Sequence, residues 1–243
     1  MKNKFIGIVI LTGLMTFSAF AQKETSEEKK VRLSGITTKK KQAEITPQQA
    51  LQNLKDGNAR FATGKPKNQQ NYRKQVAFTA KGQAPHYAIV SCLDSRVSVD
   101  DVFDLNNGDA FNARIAGNIV NEDILGSLEF ATAVSGADVI VVLGHTNCGA
   151  VKGACDDVKL GNLTGLLDKI QPAVKEIGKD WTNGEKNSKN HEFVEEVGHA
   201  NVELQMEIIK QKSPIIKDLI DKGKVILVGA IYDLETGKVK FLK

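Results

Sequence analysis

Asp138-Val139-Ile140-Val141-Val142-Leu143, running on into Gly144-His145-Thr146-Asn147-Cys148-Gly149, is the stretch on which the fold turns. Its first part is a continuous, largely β-branched apolar run without the polar alternation of a strand that faces water, which suits a strand covered on both faces. Lys224 to Ile231 carries a second run of this kind, and His86 to Ser91 and Asp109 to Ile115 are two more compact apolar segments. Helical spacing of apolar residues lies between them, near Glu122 to Val134, Leu163 to Ile177 and Phe193 to Ile209. Strands alternating with helices predict a parallel sheet with helices on its faces. Ahead of the first strand, Thr46-Pro47 reads as an N-cap followed by Pro at the first helical position. Ala50, Leu51, Leu54 and Phe61 then recur at helical spacing up to Gly64, and a second short helix is expected around Tyr72 to Ala80. After the last core strand, Thr236-Gly237-Lys238 reads as a turn into an edge strand, Val239 to Leu242. The expectation is a single α/β domain over 45–243: a mostly parallel central sheet flanked by helices, an N-terminal helical arm and an edge strand at the C-terminus. Lys179 to Asn190 reads as a polar surface loop.

The 243 residues are 41% hydrophobic and 26% charged, which excludes collagen-like, low-complexity and wholly disordered chains. Three cysteines are too few for a disulfide scaffold. The formal charge of +4 includes Lys2 and Lys4. These precede an apolar stretch from Phe5 to Phe17 and an Ala19-Phe20-Ala21 ending, the pattern of a secretory signal peptide cleaved after Ala21. The stretch is short for a membrane span; no Cys directly follows the cleavage site and there is no twin-arginine pair, so the general secretory route is expected. Without residues 1–21 the charge nearly balances, giving no support to a nucleic-acid or membrane role. Residues 22–44 are rich in Lys, Glu, Ser and Thr, with few apolar positions, and read as a flexible linker.

Two motifs follow predicted strands directly: Cys92-Leu93-Asp94-Ser95-Arg96 after the first, and His145-Thr146-Asn147-Cys148-Gly149 after the third. In open parallel sheets, ligands gather at the carboxyl ends of the strands. Cys92, His145 and Cys148 could bind Zn²⁺ and leave its fourth position open, as catalytic zinc sites do. Taken singly, each Cys also reads as a small buried hydrophobe and the His as a polar core residue. A Cys92–Cys148 disulfide is a further option in an oxidising compartment. Zinc with two thiolates and a neutral His is formally neutral and acidifies water less than an all-histidine site, so help nearby is needed. Asp94 and Arg96 are suited to give it, the Arg keeping the carboxylate ionised and the carboxylate accepting a hydrogen bond; the alternative is a surface ion pair of little worth. Cys155 reads as a packing thiol, and no spacing ties His86, His191 or His199 to the metal. Trp181 has no assigned role.

Cys-x-Asp-x-Arg followed by His-x-x-Cys-Gly resembles the β-class carbonic anhydrases. The resemblance extends to Ala80-Lys81-Gly82-Gln83-Ala84-Pro85, which is similar to the plant-type branch, to the segment Gly108 to Asn118, and to Gly229-Ala230-Ile231-Tyr232-Asp233, so that it covers roughly residues 45 to 243. It implies one Zn²⁺ per subunit on Cys92, His145 and Cys148, with Asp94 and Arg96 as a catalytic dyad that orients the attacking hydroxide. It further implies that Gln83, Phe111 and the backbone amide of Gly149 line a CO₂ or bicarbonate pocket, and that Asp94 itself becomes a metal ligand if the site closes. The implied reaction is CO₂ + H₂O ⇌ HCO₃⁻ + H⁺, in a homodimer or dimer of dimers with sites near the subunit boundary. With the signal sequence it implies a periplasmic enzyme, free of the membrane after cleavage. The chain departs from the plant-type pattern at Glu129-Phe130-Ala131, where Phe replaces Tyr. Ile89 stands where members with a second, inhibitory bicarbonate site carry Trp, so no such site is expected. Hydrolysis of carbon disulfide or carbonyl sulfide on the same fold, or zinc binding without turnover, are the alternative readings.

Overall fold

The computed structural model describes residues 35–68 and 72–242. Four strands run parallel in the order β2-β1-β3-β4: β1 (Tyr87–Ser91), β2 (Ala110–Arg114), β3 (Val139–His145) and β4 (Ile226–Tyr232). The short β5 (Val239–Phe241) pairs antiparallel with β4 and closes that side. All residues of β1 and β3 are buried, as their unbroken apolar runs require, whereas β2 at the opposite edge is half-buried. Alternate residues of the central strands feed two cores. Tyr87, Ile89, Val139, Val141 and Leu143 pack on one face with Ala50 and Leu54 of α2 (Pro47–Ala62) and with Val99 and Val102 of α4 (Val99–Val102). Ala88, Val90, Ile140 and Val142 face the other way. They meet Leu128 of α5 (Glu122–Glu129), Val202 and Ile209 of α9 (His191–Lys212) and Ile216 of α10 (Pro214–Asp221). Helix α9 lies so close to the sheet that a Cβ on Gly229 would come within 2.7 Å of Val202 and 2.8 Å of Met206, which only glycine permits.

A third core lies beyond the carboxyl ends of the strands. It gathers Cys92 and Cys148 with Val151 of α6 (Gly149–Cys155), Leu167 of α7 (Gly161–Leu167), Ala173 of α8 (Gln171–Asp180) and Phe193 and Val197 of α9. The cysteines therefore sit in an apolar, water-poor layer that raises the stakes of every polar contact they make.

Local chemistry explains most element ends. Thr46 and Gln49 form a capping box at α2 behind Pro47; Asn190 caps α9 through Phe193 N–H, and Ser213 caps α10. The long helix expected near 122–134 is α5 followed by a π-helical turn from Phe130 to Val134. The one expected near 163–177 is split into α7 and α8, where Pro172 near the start of α8 favours a new first turn. Trp181, in the polar loop, packs edge-on against Phe193 at 5.2 Å between ring centroids.

One boundary is corrected. Residues 1–34, which include the expected signal peptide and most of the expected linker, lie outside the described residues. The rest of that linker docks: Ile36 is buried, Thr37 Oγ1 donates to Asp109 at 2.8 Å, and α1 (Lys39–Glu44) is capped by Thr38. From α1, Lys39 donates to the carbonyl of Ser135 and Gln42 to that of Pro85. Composition missed this because the attachment is one apolar side chain plus polar contacts to backbone. Helix α3 (Tyr72–Thr79) completes the arm. Among the described residues no helix is long and apolar enough to cross a membrane.

Candidate metal centre and active site

Strand pairing alone brings the two sequence motifs together. Cys92 follows β1, His145 ends β3, and the β1–β3 register sets Ser91 beside Leu143, so Cys92 and His145 emerge from neighbouring strands at nearly one level. Cys148 is the N-cap residue of α6, one turn of loop further on. The ligand atoms of Cys92, His145 and Cys148 lie within 4.8 Å of one another.

The two sulfurs are 3.9 Å apart and all three cysteines are free thiols. A disulfide needs about 2.05 Å, so that option is not taken. Two thiolates on a tetrahedral zinc, at Zn–S of about 2.3 Å, stand roughly 3.8 Å apart, which the observed separation matches. His145 Nδ1 lies 2.8 Å from the Thr146 carbonyl, so the proton belongs on Nδ1 and the Nε2 lone pair is turned inward. That Nε2 is buried with no hydrogen-bond partner. An orphaned buried acceptor beside two thiols is costly unless an ion binds it, and the donor set suits zinc.

The thiols themselves are asymmetric. Cys92 is held well below the ordinary thiol range because Cys148 donates to its sulfur, aided by backbone N–H groups. Cys148 is pushed up by that same donation and by burial. Holding both sulfurs as thiolates therefore calls for a cation beside them. Zn²⁺ meets that requirement.

Several groups fix this geometry. Gly117 N–H donates to Cys92 Sγ at 3.4 Å. The Gly117 carbonyl is in turn held by Asn201 Nδ2 at 2.9 Å, Asn201 Oδ1 by Gln205 Nε2, and Gln205 Oε1 accepts from Val120 N–H. Gly117 has φ +67°, and a Cβ there would approach Ile170 Cδ1 to 2.5 Å, so glycine is needed for both its conformation and its space. Arg114, at the end of β2, donates to the carbonyls of Cys92, Leu93 and Asp94, the last at 2.7 Å. The loop between His145 and Cys148 is pinned by Glu195, whose Oε1 accepts from Asn147 N–H at 2.9 Å, and by Leu234 N–H on Thr146 Oγ1. Arg114 lies within a segment that the family resemblance covers but received no role. Asn201, Gln205 and Glu195 carried only a weak signal, polar residues recurring among the apolar positions of one long helix.

Asp94 and Arg96 form a closed fork: Arg96 Nε to Oδ1 at 3.0 Å and Nη2 to Oδ2 at 2.7 Å, with Arg96 N–H also on Oδ1. Hydrogen bonding from Arg96 holds the Asp94 carboxyl well below the usual carboxylate range. Asp94 Oδ2 is 3.8 Å from His145 Nε2, at the edge of the ligand cluster but engaged with Arg96 rather than joined to it. Gly149 follows Cys148 as the first residue of α6. Gln83 and Phe111 are not brought to the cluster of their own chain. Gln83 precedes the amino end of β1, and that strand's length separates it from Cys92. Phe111 pairs with Ala88, four residues short of Cys92, and packs edge-on against Phe130.

Residues 87–239 match the carbonic anhydrase family, and the fold superposes on a Coccomyxa β-carbonic anhydrase in complex with acetazolamide with a TM-score of 0.62 at 26% identity, over 70% of this chain and 77% of that one. The chain belongs to the β-class carbonic anhydrases. Carbonic anhydrase 2 of Mycobacterium tuberculosis is 33% identical over 192 residues, 79% of this chain and 91% of that protein. One of two tetrameric β-carbonic anhydrases of Sordaria macrospora aligns with a TM-score of 0.60 and 25% identity, over 79% of this chain and 95% of that one. As a carbonic anhydrase the chain is a zinc enzyme of reversible CO₂ hydration, and Cys92, His145 and Cys148 are the residues placed to hold the ion.

Proposed function

We propose that Asp94 and Arg96 are the catalytic dyad of CO₂ + H₂O ⇌ HCO₃⁻ + H⁺. The single observation carrying this is the position of the Asp94 carboxylate, locked by a two-point Arg96 fork within 3.8 Å of the unpartnered His145 Nε2. Cys92, His145 and Cys148 would hold zinc, which would supply the Lewis acidity that makes water a nucleophile near neutral pH. The Asp94 carboxylate accepts a hydrogen bond from the attacking oxygen, which turns that oxygen's lone pair toward the carbon of CO₂. Arg96 keeps Asp94 charged and fixed, so orientation costs nothing at the moment of attack. In this reading Gly149 N–H, beside Cys148, donates to a bicarbonate oxygen. A storage site would have no use for the dyad, which speaks against zinc binding without turnover.

Gln83 and Phe111 complete the pocket in this reading from a second copy of the chain, because each lies away from its own cluster. The tetrameric Sordaria relative supports an assembly of at least two subunits. The Lys2/Lys4, Phe5–Phe17 and Ala19-Phe20-Ala21 pattern supports export to the periplasm. Native and denaturing mass spectrometry of protein recovered from a periplasmic extract checks both, with a chain starting at Gln22 in a multimer expected. A monomer, or a chain retaining Met1, would overturn the respective half.

The test of function is stopped-flow CO₂ hydration on zinc-loaded protein before and after treatment with a chelator. Rapid hydration that disappears with the metal and returns on adding zinc is expected. No hydration with zinc bound and the fold intact would reject the reading and make carbonyl sulfide and carbon disulfide the next substrates to try.

A further inference from the structure

Each hydration releases one proton, which must leave the site before the next turnover. The enzyme has four histidines. His86 and His145 are buried, and His199 borders a closed space behind His145 and Cys148 with no room for water. His191 differs: its side chain is 66% exposed, at the first position of α9. It lines a cleft of about 560 Å³ with Arg96, Thr146, Asn147, Lys152, Asp233, Leu234 and Glu235. Arg96, which also lines that cleft, is the guanidinium paired with Asp94, so the cleft adjoins the dyad. Glu195, one turn along α9, places Oε1 3.7 Å from His191 Nε2. The same oxygen accepts from Asn147 N–H, between two metal ligands, which fixes the carboxylate.

We propose that His191 is the proton-transfer residue of this enzyme, an assignment that rests on the CO₂ hydration reading. A neutral ring nitrogen accepts the released proton through water in the cleft, and the resulting imidazolium passes the same proton to a buffer base; only N–H and O–H bonds form and break. Imidazole is the side chain matched to such relay near neutral pH. The charged groups facing it are Glu195 on its own helix and Arg96, Lys152, Asp233 and Glu235 around the cleft.

The experiment compares zinc-loaded parent enzyme with His191→Ala by stopped flow at a series of buffer concentrations. In dilute buffer that penetrates poorly, kcat of the variant is expected to fall roughly tenfold, less than the 100-fold or more of an enclosed acid–base group because bulk buffer competes at an exposed site. kcat/KM should not change, since it reports the CO₂ step, and imidazole buffer should restore kcat. An unchanged kcat in the most dilute buffer would overturn the assignment. So would a parallel loss of kcat and kcat/KM without imidazole rescue, which marks a structural role. Absence of hydration by the parent would instead count against the underlying reaction.

Discussion

Cys92→Ser is expected to bind zinc too weakly to compete with a moderate chelator and to show no CO₂ hydration above the uncatalysed rate. The substitution is nearly isosteric, and Cys92 sits in a core built by α6, α7, α8 and α9, so the sheet should persist. What changes is charge. A hydroxyl stays protonated near neutral pH, leaving a buried Zn²⁺ with a single thiolate and a net positive site. The Gly117 N–H, now on Cys92 Sγ, would face a neutral oxygen. Losing even an outer-shell partner costs roughly 10- to 100-fold in metal affinity, and losing a ligand exceeds that. Titration against a chromophoric chelator measures it directly. Thermal unfolding gives a second reading, because zinc stabilises only the state that binds it: added zinc should raise the Tm of the parent and leave that of the variant in place. Zinc held by the variant as tightly as by the parent would remove Cys92 from the ligand set.

The positions of the ligands were legible because they follow from strand pairing. Continuous apolar runs marked β1 and β3, and the chemistry came directly after each, so adjacency in a parallel sheet was a consequence of topology. The Asp94–Arg96 ion pair was legible for a similar reason, being local: one residue separates the two, and the fork closes within one loop. Contacts between distant segments were not. Arg114 reaches three carbonyls from the end of a neighbouring strand, and Asn201 and Gln205 act over more than eighty residues of chain. Their side chains are polar at positions a periodicity argument assigns to the core, and nothing in spacing says which carbonyl they meet. Ile36 was misjudged for a related reason. Composition counts apolar residues, whereas Thr37 and α1 are fastened by hydrogen bonds to Asp109, Pro85 and Ser135. Gln83 and Phe111 are a different case, since their expected role lies between copies and one chain cannot display it.

Asp94→Asn separates the dyad from the metal. Asn keeps the shape of the side chain and leaves Cys92, His145 and Cys148 in place, so zinc content is expected to match the parent. The amide carries no charge and meets the Arg96 fork with at most one acceptor oxygen, so the attacking oxygen loses its fixed hydrogen-bond acceptor. kcat/KM for CO₂ should fall by roughly 100-fold, the upper end of what an oriented outer-shell partner contributes. The pH dependence sharpens the test. Because Arg96 holds Asp94 well below the usual carboxylate range, what the charged carboxylate contributes is present above the ordinary carboxylate value and is lost only as pH falls through the depressed one. That window lies below the range in which the enzyme is assayed, so the parent-to-variant ratio of kcat/KM should be constant between about pH 6 and 9. A ratio that closes toward the acid end would mean that Asp94 takes up a proton there, and the locked fork would then not be the state in which the reaction runs. Loss of zinc along with the rate would instead make Asp94 a support of the metal site rather than a partner of the attacking oxygen.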